Sequence, residues 1–143
     1  MYNLKGLGAS KAGGRWNPPG CACIYTSEHV SLAMIEKLVH AQMISDMKDI
    51  ALMTFEINRP ELLYILDLQK LKKGWKNDIR YTQWIGAQIL KYEDYAGFIA
   101  PSVVVPNELN IILLANPRAE NGIVQTDAAL FPFDERLRRL FKD

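Results

Sequence analysis

Apolar residues along this chain fall into short blocks separated by Gly, Pro and charged residues, and most blocks are strand-length. Ala22 to Thr26 is a brief apolar run that predicts a strand. Beyond it, Leu32, Ile35, Leu38 and Val39 recur at helical spacing. That predicts a helix over about 28–43 with these residues on its buried face. Ser27 is expected to cap this helix, and Glu28 to sit favourably in its first turn. Ile50 to Ile57 predicts a strand with Ile50, Leu52 and Thr54 on one face and Met53, Phe55 and Ile57 on the other, ended by Arg59-Pro60. Leu62 to Leu66 predicts a further short strand. Asp67 to Asp78 is polar, basic surface with Trp75 as an exception. A helix is expected from Tyr81 or Thr82 to about Asp94, carrying Trp84, Ile85, Gln88 and Ile89. Gly97–Ala100, Val103–Val105 and Asn110–Ala115 read as strands, Ile123–Phe131 as extended and Asp134–Phe141 as a short charged helix. Residues 1–20, rich in Gly and Pro, read as loop with a short strand at the start.

Strands and helices mix here without regular βαβ alternation. The expected fold is therefore α+β, a mixed β-sheet core with flanking helices, rather than a doubly wound parallel sheet. No repeat, linker or low-complexity tract divides the chain, so a single domain over 1–143 is expected.

Composition changes this picture little. Apolar residues make up 49% and charged residues 23%, an ordinary globular balance. A formal net charge of +1 gives no electrostatic case for direct nucleic-acid binding. No apolar run reaches the length of a membrane span, and no basic-then-apolar leader opens the chain. Cys21 and Cys23 are too close together to pair readily, and a Cys-x-Cys metal site completed by His29 or His40 is outweighed by small side chains on a strand. A reducing cytoplasmic setting and no structural metal are expected.

The candidate chemistry centres on Gly13-Gly14-Arg15-Trp16-Asn17, preceded by Gly6 and Gly8 and followed by Pro18-Pro19-Gly20. Permissive backbone beside a guanidinium suits close approach to a phosphate or carboxylate. Two readings stand: a loop that holds an anionic ligand, or a tight loop whose Arg15 pairs with a carboxylate and whose Trp16 fills the core. Glu36 lies inside the first long helix beside an apolar stripe, one turn from Leu32 and His40. By itself it reads as an edge carboxylate paired with Lys37 or His40, and His40 as a satisfied histidine at the core's edge.

Taken together, the motifs resemble the RES domain family. Gly6-x-Gly8-Ala9, the Gly13–Asn17 loop, Ile24-Tyr25-Thr26-Ser27, and Ser31-Leu32-Ala33 leading through Glu36 to His40 match its opening. Pro101-Ser102-Val103-Val104-Val105-Pro106, Asn110 and Asn116-Pro117 are similar to its second block, and Phe133-Asp134-x-Arg136-Leu137 to its close. The family takes its name from an Arg, a Glu and a Ser, and Arg15, Glu36 and Ser102 fall in those places. One departure is the opening: relatives usually carry a strand and further residues before the first Gly-x-Gly, whereas Gly6 comes almost at once here.

The resemblance implies a fold similar to ADP-ribosyltransferase toxins. It also implies a toxin of a bacterial toxin–antitoxin pair, partnered by an antitoxin with an Xre-like helix-turn-helix domain. The expected substrate is NAD⁺, broken at the nicotinamide–ribose bond by phosphorolysis or hydrolysis, with inorganic phosphate as a co-substrate in the first case and no tightly bound cofactor. Protein ADP-ribosylation and an inactive antitoxin-binding domain are the alternatives. Arg15, Tyr25, Glu36 and Ser102 are the expected catalytic set. Gly13, Gly14, Arg15, Trp16, Asn17, Tyr25, Ser102 and Asn110 are the expected substrate contacts. Arg15 would clamp phosphate, Tyr25 would pack on nicotinamide, Glu36 would stabilise the ribosyl cation, and Ser102 would hydrogen-bond ribose or phosphate.

Overall fold

The computed structural model describes residues 4–141. Its centre is a four-stranded sheet made of β1 (Cys23–Ser27), β3 (Leu63–Ile65), β4 (Gly97–Pro101) and β5 (Leu109–Leu114), in the order β1-β5-β4-β3. β3 runs parallel to β4, and the other pairs are antiparallel, so the sheet is mixed as expected. Two further strands, β2 (Ala51–Ile57) and β6 (Ile123–Leu130), form an antiparallel ribbon whose register shifts between Thr54 and Phe55. Three α-helices flank these strands: α1 (Leu7–Ala12), α2 (Val30–His40) and α3 (Ile79–Leu90).

The period-two geometry of the strands divides the core in two. Cys23, Phe98, Ala100 and Ile112 point to one face, where they meet Trp16 and Ile89 of α3. Leu63, Ile99, Ile111 and Leu113 point to the other and pack with Ile123, Phe55 and Ile57 of the ribbon. Phe98, Ile112 and Leu113 are fully buried. Each is worth roughly 2–3 kcal/mol of apolar transfer. The sheet is thus sandwiched between the helical layer and the ribbon. The helical face carries the residues singled out above.

Several local expectations are corrected. Residues 7–12 are helical rather than loop, because Gly6 and Gly13 take positive φ (63° and 72°) at the two ends and the Gly13 N–H caps the Ala9 carbonyl. A strand at the very start falls on residues 1–3, outside the described range. Leu4, the first described residue, accepts a backbone hydrogen bond from Asn116. Ser27 belongs to β1 and does not cap α2, which starts at Val30 after an N-cap His29 with no side-chain cap. α2 ends at His40, which is exposed, and of its apolar repeat only Leu32 is buried; Ile35 and Val39 face solvent. α3 starts earlier than expected, where the Asp78 carboxylate accepts from the Tyr81 N–H, and ends at Leu90. Val103–Val105 is not a strand. Its amides turn inward to Ser102, and the segment becomes the connection between β4 and β5. The short charged helix expected near the end of the chain is present, as a 3-10 helix over Glu135–Leu140.

Candidate active site

The glycine loop is built against α3. Thr82 Oγ donates to the Arg15 carbonyl at 2.6 Å, and Gln83 Nε2 to the Gly14 carbonyl at 2.9 Å. At Gly86 the loop touches the helix backbone so closely that a Cβ there would lie 1.7 Å from the Trp16 carbonyl oxygen. The Trp16 side chain is 1% exposed and packs on Phe98 edge-to-face and on Trp75 with ring centroids 5.6 Å apart. Trp75, the apolar exception in a polar stretch, is therefore the outer wall of the Trp16 pocket. Asn17 is 0% exposed, and its amide nitrogen serves the carbonyls of Ala9 and Cys21 at 2.9 and 2.8 Å.

Tyr25 closes the loop from the sheet side. Its hydroxyl accepts from the Trp16 N–H at 2.8 Å and donates to Asn17 Oδ1 at 2.7 Å. A Cβ on Gly14 would stand 2.6 Å from that hydroxyl, so the second glycine is required by packing. Burial pushes the phenol's pKa well above its ordinary value, offset in part by the Trp16 hydrogen bond. The residue as a whole is nonetheless 38% exposed, because the ring looks outward while its hydroxyl is tucked under the loop. Trp16 and Asn17, expected among the substrate contacts, have side chains turned into the core. What the loop offers outward is Arg15. Its guanidinium gives one nitrogen to the Lys76 carbonyl at 2.8 Å, on an exposed 3-10 turn.

A second cluster lies farther along the same sheet face. Glu36 points from α2 toward the β4 and β5 ends. Its Oε1 accepts from Ser102 Oγ at 2.9 Å and from Asn110 Nδ2 at 2.8 Å. Neither Lys37 nor His40 pairs with it, contrary to the edge-carboxylate reading. Ser102 is 3% exposed, and its oxygen accepts from the N–H groups of Val104 and Val105 at 3.1 and 3.0 Å. All the bonding capacity of that hydroxyl is used inside the protein, so a direct ribose or phosphate contact has no geometric support here. Asn110 in turn accepts from Ser27 Oγ at 2.8 Å. Among the described residues no protein donor reaches Glu36 Oε2.

Strand β1 joins the two clusters. Tyr25 and Ser27 share one face of it, two residues and thus about 7 Å apart. The structure therefore brings Arg15, Tyr25, Glu36, Ser102 and Asn110 to one side of the sheet. Ser27, Thr82 and Gln83 complete the arrangement and were not anticipated in these roles. A serine ahead of a helix signals a cap, Thr82 signals only a helix start, and a Gln within a helix signals nothing. Elsewhere, an apolar cavity of about 300 Å³ opens between α2 and β2, lined by Val30, Ala33, Met34, Lys37, Leu52 and Phe131 among others. None of the expected site residues lines it. Among the described residues no group of three or more His, Cys, Asp or Glu side chains is placed to hold a metal. No helix among them is long and apolar enough to cross a membrane.

The chain is 37% identical over 138 residues to a protein named Toxin Res of Yersinia enterocolitica, covering 93% of this chain and 89% of that one. It is 31% identical over 144 residues to the Prs ADP-ribosylating toxin of a Sphingobium species, covering 96% and 88%. Its fold is similar to that of a chain in the crystal structure of the M. tuberculosis MbcT-MbcA toxin-antitoxin complex, with a TM-score of 0.69 and 22% identity over 99% of this chain and 82% of that one. A model of the RES domain matches residues 1–134, nearly the full length. The chain belongs to the RES domain family.

Proposed function

We propose that this protein is the toxin of a toxin–antitoxin pair and that it cleaves the nicotinamide–ribose bond of NAD⁺. The observation that carries the reading is the Glu36 carboxylate, held through Oε1 by Ser102 and Asn110 on the sheet face that also bears Tyr25 and the Arg15 loop. NAD⁺ presents, in order, a pyrophosphate, a ribose and a cationic nicotinamide. The free donors of Arg15 suit the pyrophosphate. The outward ring of Tyr25 suits an aromatic face. Glu36 Oε2 suits the ribose. When the C–N bond breaks, its electron pair leaves with nicotinamide, and positive charge grows on the ribosyl carbon. A fixed carboxylate beside that carbon stabilises the charge without reorganising. Phosphate or water then captures the cation, giving ADP-ribose 1″-phosphate, or ADP-ribose and a proton.

Protein ADP-ribosylation breaks the same bond and differs only in the acceptor. The name of the Sphingobium relative favours it as the second reading. An antitoxin with an Xre-like helix-turn-helix domain is the proposed partner. The fold's likeness to a chain of a toxin–antitoxin complex supports a partner of that kind.

The test is incubation of purified protein with NAD⁺, with and without inorganic phosphate, following nicotinamide release and the mass of any acceptor. Release that requires phosphate identifies a phosphorylase, and release without it a hydrolase. A mass increment on a protein identifies a transferase, and no release in any arm would sink the reading. Arg15→Ala and Glu36→Ala are each expected to slow release about 100-fold or more. Both variants should retain the wild-type circular dichroism spectrum.

A further inference from the structure

We infer that Ser27 is a positioning residue for the Glu36 carboxylate, acting through the side-chain amide of Asn110. The inference rests on Glu36 being the reacting carboxylate of the proposed function. Ser27 is the last residue of β1 and lies directly opposite Asn110 in the β1–β5 ladder. Its hydroxyl proton goes to Asn110 Oδ1 at 2.8 Å, and Asn110 Nδ2 goes on to Glu36 Oε1 at 2.8 Å. The two ends of the amide are therefore fixed by groups of opposite demand. A carboxylate only accepts, so it takes the NH₂ end, and Ser27 supplies the proton that the carbonyl end requires. The terminal torsion of an asparagine is broad, and one hydrogen bond leaves it free to swing. Bonds at both ends hold the amide plane and, with it, the direction from which Glu36 is gripped.

Ser102 gives the matching grip from the other side. The Val104 and Val105 amides occupy its oxygen and leave its proton for Glu36. Both donors converge on Oε1, and Oε2 has no protein donor among the described residues. Ser27 thereby helps to determine which carboxylate oxygen is presented and at what angle, without touching the ligand itself. Its place just ahead of α2 suggests a helix cap, yet α2 begins at Val30 and takes no side-chain cap. The hydroxyl is thus committed to the Asn110 amide.

The test joins kinetics to a direct view of the amide. Ser27→Ala should lower kcat for nicotinamide release about five- to tenfold, the scale of one lost neutral hydrogen bond, with KM within about twofold. Ser27→Thr, which keeps the hydroxyl and suits a strand, should recover most of that loss. In ¹⁵N-labelled protein the Asn110 NH₂ pair, assigned by its disappearance in Asn110→Ala, should shift and exchange faster with solvent in Ser27→Ala but not in Ser27→Thr. An Asn110 signal unchanged by Ser27→Ala would overturn the inference, as would an altered signal with unaltered kcat. Wild-type protein that releases no nicotinamide would instead remove the proposed reaction, and the Asn110 spectrum would still decide whether Ser27 holds the amide.

Discussion

The Tyr25 hydroxyl is committed to the glycine loop at both its proton and its lone pair. Its raised pKa keeps it neutral throughout the physiological range, so the residue contributes through its ring and its grip on Trp16 and Asn17 rather than as an acid or base. Tyr25→Phe keeps the ring and strands the Trp16 N–H and Asn17 Oδ1. A loss of about 1–3 kcal/mol of stability is expected, measured by urea unfolding. Nicotinamide release by the surviving folded fraction should change far less than in Glu36→Ala. The neighbouring thiol follows the same logic: Cys23 is 1% exposed, and burial raises its pKa to about 12. It should resist iodoacetamide at pH 8 in native protein and react only after unfolding, as read by intact mass.

At the scale of elements, α3 is the bed of the loop. Its Thr82, Gln83 and Gly86 contact three consecutive loop residues, Arg15, Gly14 and Trp16. Gly86→Ala puts a methyl group where the Trp16 carbonyl stands, and backbone on both sides cannot yield. It is expected to cost about 3 kcal/mol and to displace the loop, with a lower thermal midpoint and weakened NAD⁺ turnover together. The strands were the most legible elements in the sequence: β1, β2, β3, β4, β5 and β6 fall within a residue or two of their apolar runs. Helix ends were less so. Ser27 carries a cap's chemistry, but its hydroxyl found Asn110 across the sheet, a partner 83 positions away that no local pattern reveals. Val103–Val105 has strand composition, yet Ser102 draws two of its amides out of any ladder. The motifs around Arg15, Glu36 and Ser102 marked the site's residues, but only the fold shows Ser102 and Asn110 gripping the carboxylate, and only the fold decides between the two readings of Trp16 by burying it.

Over the whole molecule, stability and site geometry share one sheet. Ile112 fills the helical side and Leu113 the ribbon side of the same strand. Leu113→Ala should cost about 3 kcal/mol by opening a cavity under the ribbon while leaving the Glu36 cluster on the other face in place. Denaturant midpoint should therefore fall with kcat nearly unchanged. The strand pairings are distant in sequence: β1 joins β5 and β2 joins β6. The carboxylate's two donors lie 66 and 74 positions after Glu36. Non-local pairing of this kind forms late, because long loops must close before it is rewarded. A nascent chain still short of Asn110 has neither the β5 strand nor a complete grip on Glu36. On the function proposed above, the chain therefore gains the grip on its reacting carboxylate only after most of its length has been synthesised.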